Sequence, residues 1–130
     1  MIVLDTSALI DLFRGSDAIR TLLDNDDLAS TVITYYEIFS GLKHRTVRAE
    51  ERFFKRLFSD IPILSLDVAA AEKSSDIMAM LLSLGMPINS LDVLIAGIAV
   101  TNGAEKLVTR DRDFENIAKV AKIGVIFLEN

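Results

Sequence analysis

The chain has no cysteine and a single histidine in 130 residues. The first absence excludes disulfides, thiol nucleophiles and Cys-ligated zinc or iron–sulfur sites, and it suits a reducing compartment. Long apolar runs are missing too: Val93 to Val100 is interrupted by Gly97 and falls far short of the roughly 20 residues a membrane helix needs. Met1 leads straight into Ile2-Val3-Leu4-Asp5, with no basic leader and no cleavage site, so a soluble cytoplasmic protein is expected, with no membrane partner. Basic residues are the minority, 14 Lys plus Arg against 19 Asp plus Glu, for a net charge of −5. Such a balance ordinarily argues against nucleic acid as a partner, because neutralising phosphate takes Lys and Arg.

What is present points to one globular domain over residues 1–130, since 51% of residues are hydrophobic and 25% charged. Ile2-Val3-Leu4 is a short apolar run closed by Asp5-Thr6-Ser7, the pattern of a buried parallel strand. Thr6 or Ser7 is placed to cap a helix from Ala8 to about Arg14, and Ser16-Asp17 to cap a second one. Asn25-Asp26-Asp27 reads as a turn, and Leu28 to Ile33 as a second strand. Helices are expected from Thr34-Tyr35-Tyr36-Glu37 onward and over Thr46–Phe58, with a third strand at Pro62–Leu66. A long helix follows from Asp67 to about Leu84, then one capped by Ser90 and running to Thr101. Strands over Lys106–Thr109 and Val125–Leu128 flank a short helix from Asp113 to Val120. The alternation predicts a three-layer α/β/α sandwich with a central, mainly parallel sheet of about five short strands.

In such a sheet ligands bind beyond the carboxyl ends of the strands. The polar residues there are acids: Asp5 after the first strand, Glu37 after the second, Asp92 two residues past Ser90, and Asp111 and Asp113 after Thr109. Each has a plain alternative. Thr34-x-x-Glu37 fits a capping box, Asp92 suits a helix N-terminus, and Asp5 and Asp111-Arg112-Asp113 fit turns. Separate capping roles, however, do not require convergence on one edge. Converging carboxylates repel and need a compensating cation. Oxygen donors, without Cys and with His44 set apart in a basic connection, suit Mg²⁺ or Mn²⁺ better than Zn²⁺.

Val3-Leu4-Asp5-Thr6-Ser7, Tyr36-Glu37, Leu91-Asp92-Val93-Leu94-Ile95-Ala96 and Val108-Thr109-Arg110-Asp111-Arg112-Asp113-Phe114 resemble the motifs of PIN domains. More narrowly, the chain is similar to the VapC-type toxins of toxin–antitoxin pairs, from residue 2 to about 128. The resemblance implies a Mg²⁺- or Mn²⁺-dependent endoribonuclease that hydrolyses RNA phosphodiesters with metal-activated water. Its first three acids would be Asp5, Glu37 and Asp92, and the fourth Asp111 or, in its place, Asp113. Asp5 and Asp92 would hold metal, with Glu37 and Asp111 completing the shell or orienting the attacking water. Arg110 and Arg112, beside the acids, are candidates for substrate phosphate. The hydroxyls of Thr6 and Thr109 are candidates for the same role or for orienting a carboxylate or bound water. A cognate VapB-type antitoxin and a homodimer are further implications.

Residues 43–56 carry six basic side chains against Glu50 and Glu51, so this stretch is +4 and the rest of the chain −9. Arg48, Arg52, Lys55 and Arg56 share one helix face opposite Phe54 and Leu57. That face is either a solvated surface with a Glu51–Lys55 pair or a strip for RNA phosphate or an acidic antitoxin tail. Tyr35, Tyr36 and Phe39 are expected in core packing or at a partner surface, and Met78, Met80 and Met86 as core or interface filler. Two other readings remain. A haloacid-dehalogenase-type phosphatase needs Asp-x-Asp after its first strand, but position 7 is Ser, and a receiver needs Lys at a late strand end, whereas Lys106 begins its strand. A non-catalytic PIN-fold scaffold for RNA or protein is the alternative against which the four intact acids argue.

Overall fold

Short apolar runs become strands here because helices cover both of their faces. In the computed structural model, which describes residues 1–23, 27–45 and 47–129, β1 (Ile2–Leu4), β2 (Leu28–Thr31), β3 (Ile63–Leu64), β4 (Lys106–Thr109) and β5 (Gly124–Phe127) form one sheet. All pairings are parallel, in the order β3-β2-β1-β4-β5. The chain proceeds outward from β1 to β3, returns to the other side of β1 as β4, and proceeds outward again to β5. The change of direction therefore falls between β1 and β4, whose carboxyl ends bear Asp5 and Arg110–Asp113.

Alternation across the pleat sorts the core into two layers. Val3 and Leu107 face α5 (Val68–Ser83), α6 (Ser90–Thr101) and α7 (Phe114–Ala121). Ile2, Leu4 and Val108 face α1 (Thr6–Phe13), α2 (Asp17–Leu23), α3 (Val32–Arg45) and α4 (Arg48–Asp60). Phe54, 2% exposed, anchors α4 in that second layer, a burial that contributes about 2–3 kcal/mol. Phe58 touches Phe39 and Tyr35, with ring centroids 5.9 and 5.0 Å apart. This aromatic cluster fixes α3 and hence the height of Glu37.

In the other layer α5 and α6 approach closely because position 97 is glycine. A Cβ there would lie 1.9 Å from the Ser74 hydroxyl oxygen and 3.0 Å from the Ser74 backbone nitrogen. Glycine's helix penalty, about 1 kcal/mol, is the cost of a contact that seats α6 and its first-turn Asp92 against the sheet.

Several element starts differ from the sequence expectation, each for a local reason. Helix α1 is capped by Asp5 itself, whose carboxylate accepts the Ala8 N–H at 2.9 Å, and not by Thr6 or Ser7. β2 ends at Thr31, and Val32-Ile33 already belong to α3, because the Thr31 hydroxyl accepts the Thr34 N–H at 3.2 Å and caps the helix. Asn89, one residue before Ser90, caps α6 through the Leu91 N–H. Asn25 and Asp26 of the expected turn and Thr46 of the expected helix lie outside the described residues. Among the described residues no helix is long and apolar enough to cross a membrane.

Candidate active site

The two strand ends at the centre of the sheet carry a connected set of hydroxyls and carboxylates. Asp5 leaves β1 and turns into α1, so it is only 4% exposed. Its Oδ1 accepts from the Ser7 hydroxyl at 2.7 Å as well as from the Ala8 N–H. Its Oδ2 accepts from the Thr109 hydroxyl, at the end of β4, at 2.5 Å. Thr109 Oγ1 in turn accepts the Asp111 N–H at 2.9 Å, and Ser7 Oγ accepts the Arg110 N–H at 2.8 Å. The start of α1 and the exit of β4 are thus joined through Asp5. Burial pushes the Asp5 carboxyl above its ordinary pKa, its hydrogen bonds oppose that, and the Asp111 charge adds to it.

Asp92 sits in the first turn of α6, half-buried over the same edge. One carboxylate oxygen from each of Asp92, Asp111 and Asp113 lies within 4.8 Å of the others. Asp111 Oδ1 also accepts the Asp113 N–H at 2.9 Å, which tightens the turn after β4. Desolvation first, and then the negative charges of Asp111, Asp5, Glu37 and Asp113, push the Asp92 carboxyl up to about 7. Four acids thus act on Asp92, and Asp111 acts on Asp5 as well.

Glu37 reaches this field from α3. It lies in the second turn, because α3 begins at Val32, so the Thr34-x-x-Glu37 capping box is not formed. The Thr6 hydroxyl instead donates to Glu37 Oε1 at 2.7 Å. Among the described residues, Oε2 has no hydrogen-bond donor. The hydroxyls of Thr6 and Thr109 are therefore directed at carboxylates.

The two arginines in the turn are also directed at carboxylates. The Arg110 guanidinium grips Asp11 of α1 through Nε, at 3.1 and 3.3 Å, and through Nη2. Arg112 pairs with Glu115 at 2.9 Å and Glu129 at 3.2 Å and lies over the Phe127 ring. The expectation that both arginines face substrate phosphate thus meets a structure in which each is engaged by protein acids. The sequence does not single out Asp11, and Ser7 reads there as a candidate helix cap; the structure instead turns the Ser7 hydroxyl to Asp5 Oδ1 and sets it to accept the Arg110 N–H.

The basic strip lies on α4 with Arg48, Arg52, Lys55 and Arg56 exposed, Phe54 buried, and Lys55 paired with Glu51 at 2.8 Å. Phe39 is buried, whereas Tyr35 and Tyr36 are 43% and 61% exposed. His44 is exposed in the last turn of α3, away from the acids.

The donor set fits a hard divalent cation. Its groups are all oxygens, they are mutually repulsive, and the Asp92–Asp111–Asp113 oxygens need only close toward the roughly 3 Å separation of neighbouring octahedral ligands. Comparison with known proteins points the same way. A family model described as the PIN domain matches residues 2–120. Ribonuclease VapC11 of Mycobacterium tuberculosis is 30% identical over 132 aligned positions, covering 95% of this chain and 96% of that protein. Among solved structures, the DNA-bound VapBC of Salmonella typhimurium superposes with a TM-score of 0.82 at 26% identity, over 97% of this chain and 96% of that one. VapBC2 of Rickettsia felis, bound to a DNA fragment from its promoter, gives a TM-score of 0.86 at 18% identity, over 99% and 100% of the two chains.

Proposed function

The chain belongs to the PIN-domain family, and on that premise we propose that it is the toxin of a VapBC-type pair, an endoribonuclease that uses Mg²⁺ or Mn²⁺ and acts in the cytoplasm. The observation that carries this reading is the Asp92–Asp111–Asp113 cluster, one carboxylate oxygen from each within 4.8 Å of the others, with the Asp92 carboxyl raised to about 7 by burial first and then by the four neighbouring acids. Carboxylates gathered and partly desolvated at one edge persist in a fold when a cation compensates them.

Asp92, Asp111 and Asp113 would supply the oxygens that hold the metal, with Asp5 behind them keeping Thr109 and the turn in place and adding negative charge. A bound Mg²⁺ or Mn²⁺ lowers the pKa of its water and polarises a phosphoryl oxygen. Glu37, held at Oε1 by Thr6, keeps Oε2 for the proton of the attacking water. The hydroxyls at this edge, those of Thr6, Ser7 and Thr109, each donate to a carboxylate and serve to orient it, and water is the nucleophile in this reading. The product strand leaves by protonation from solvent or from the same acids.

A VapB-type antitoxin and a second copy of the chain are the proposed partners, in line with the complexes in which the solved relatives occur. Exposed apolar side chains such as Tyr36, Val68 and Leu82, at 61%, 83% and 58% exposure, offer surface for them. The α4 strip offers positive charge for RNA or for an acidic tail.

The purified protein is expected to cut RNA in Mg²⁺ or Mn²⁺, to stop on addition of excess chelator, and to resume when metal is restored. A gel assay on total RNA reads this directly. Cutting that continues with metal removed would refute the mechanism, and RNA binding without cutting would favour the scaffold alternative.

A further inference from the structure

Asp11 has no place in the scheme above, yet it is 5% exposed and charged, on a helix otherwise buried by apolar residues. A buried carboxylate needs a partner, and its partner is Arg110, whose Nε donates to both carboxylate oxygens and whose Nη2 donates to Oδ2, two nitrogens of one rigid plane that fix direction as well as distance. Arg110 directly precedes Asp111. Its own N–H is held by Ser7 Oγ at 2.8 Å, so α1 grips this residue twice, by side chain and by main chain. The next N–H, that of Asp111, is fixed by Thr109 at 2.9 Å. The turn that presents Asp111 and Asp113 is therefore oriented from α1, at a point 99 residues earlier in sequence.

Resting on the metal-site reading given above, we infer that Asp11 is a positioning residue: through Arg110 it sets the Asp111–Asp113 turn in the register that lets both acids share a cation with Asp92. Its chemistry is that of an outer partner which orients ligands without touching metal, where loss costs about tenfold or more in metal affinity. Arg110 on this account is a clamp for the turn.

The test compares wild type with Asp11→Asn, which keeps the volume but removes the charge, and with Arg110→Lys, which keeps the charge but removes the fork. Each is followed by thermal melting, by calorimetric titration with MnCl₂, and by RNA cleavage at several Mn²⁺ concentrations. The expected result is folded variants whose Mn²⁺ affinity is weaker, by about tenfold for Asn and less for Lys. The fall in kcat should be restored by excess Mn²⁺, with KM for RNA unchanged. Folded variants that bind Mn²⁺ like wild type, even if they melt lower, would overturn the inference and leave the pair a plain structural tie. If one variant does not fold, the other decides. If wild type itself takes up no Mn²⁺, the metal-site reading fails first and this inference with it.

Discussion

Replacing Asp92 with asparagine should abolish RNA cleavage and, at the same time, raise the melting temperature of the metal-free protein at neutral pH. Loss of cleavage follows from removing the negative charge of one of three carboxylates placed to hold the cation. The gain in stability follows from removing a charge that burial disfavours first and that the neighbouring acids then repel. The Asp92 carboxyl stands at about 7 against an ordinary 3.8. Between those values the native protein keeps a proton that the unfolded chain releases. Stability from this group is therefore fully present below the lower value, falls as pH rises through the window, and levels off above it. For a fully buried group a shift of this size would be worth about 4 kcal/mol, but Asp92 is half-exposed, and solvent screening reduces the figure to about 1–2 kcal/mol. That predicts a metal-free variant melting about 3–8 °C above wild type at pH 7–8 and converging with it near pH 4. Added Mn²⁺ should stabilise wild type strongly, by about 2.7 kcal/mol at a hundredfold excess over Kd, and the variant far less. Melting curves of both proteins across pH, with and without Mn²⁺, read all of this. A variant that melts below wild type without metal would mean that Asp92 serves chiefly as a helix-terminal acid.

The second large effect is expected at Asp5, and here two substitutions should separate stability from catalysis. Asp5→Ala removes the cap of α1 and the acceptor for the Ser7 and Thr109 hydroxyls in a buried setting. A lost cap costs about 1 kcal/mol and stranded buried hydroxyls add to it, for about 2–4 kcal/mol in all. Asp5→Asn keeps an oxygen over the Ala8 N–H and removes a charge that burial disfavours, so its stability should stay within about 1 kcal/mol of wild type. Both should cut RNA at less than about a hundredth of the wild-type rate. Chemical denaturation gives the stabilities and a cleavage time course the rates. An Asp5→Asn protein with near-normal cleavage would remove Asp5 from the active site.

The layered sheet was legible in the sequence because its signal is local: a buried parallel strand reads as an apolar run, and the acid that ends it is the next residue. Asp5 follows its strand directly and Asp111 lies two residues past the end of its own, whereas Asp92 was legible from its place two residues past Ser90, at the start of a helix. Glu37 was found for a partly wrong reason. Val32 and Ile33 are β-branched and read as strand, while the Thr31 hydroxyl starts the helix two residues earlier than that pattern suggests. The box that would have engaged Glu37 in capping never forms, and its carboxylate goes to Thr6. Asp11 was not legible at all. On a helix an acid among apolar residues reads as surface, and the arginine that buries it is remote in sequence. The same distance hid the pairing of Arg110 with Asp11, whereas Arg112 pairs with Glu115, three residues on, as well as with the more distant Glu129.

The central claim is that these acids share one divalent cation. Anomalous diffraction from crystals of the wild-type protein soaked in MnCl₂ tests it most directly. The account predicts a manganese peak within about 2.3 Å of carboxylate oxygens from Asp92 and from Asp111 or Asp113, and no such peak in Asp92→Asn. Manganese absent from this edge in wild type at saturating concentration, or bound equally in the variant, would contradict it.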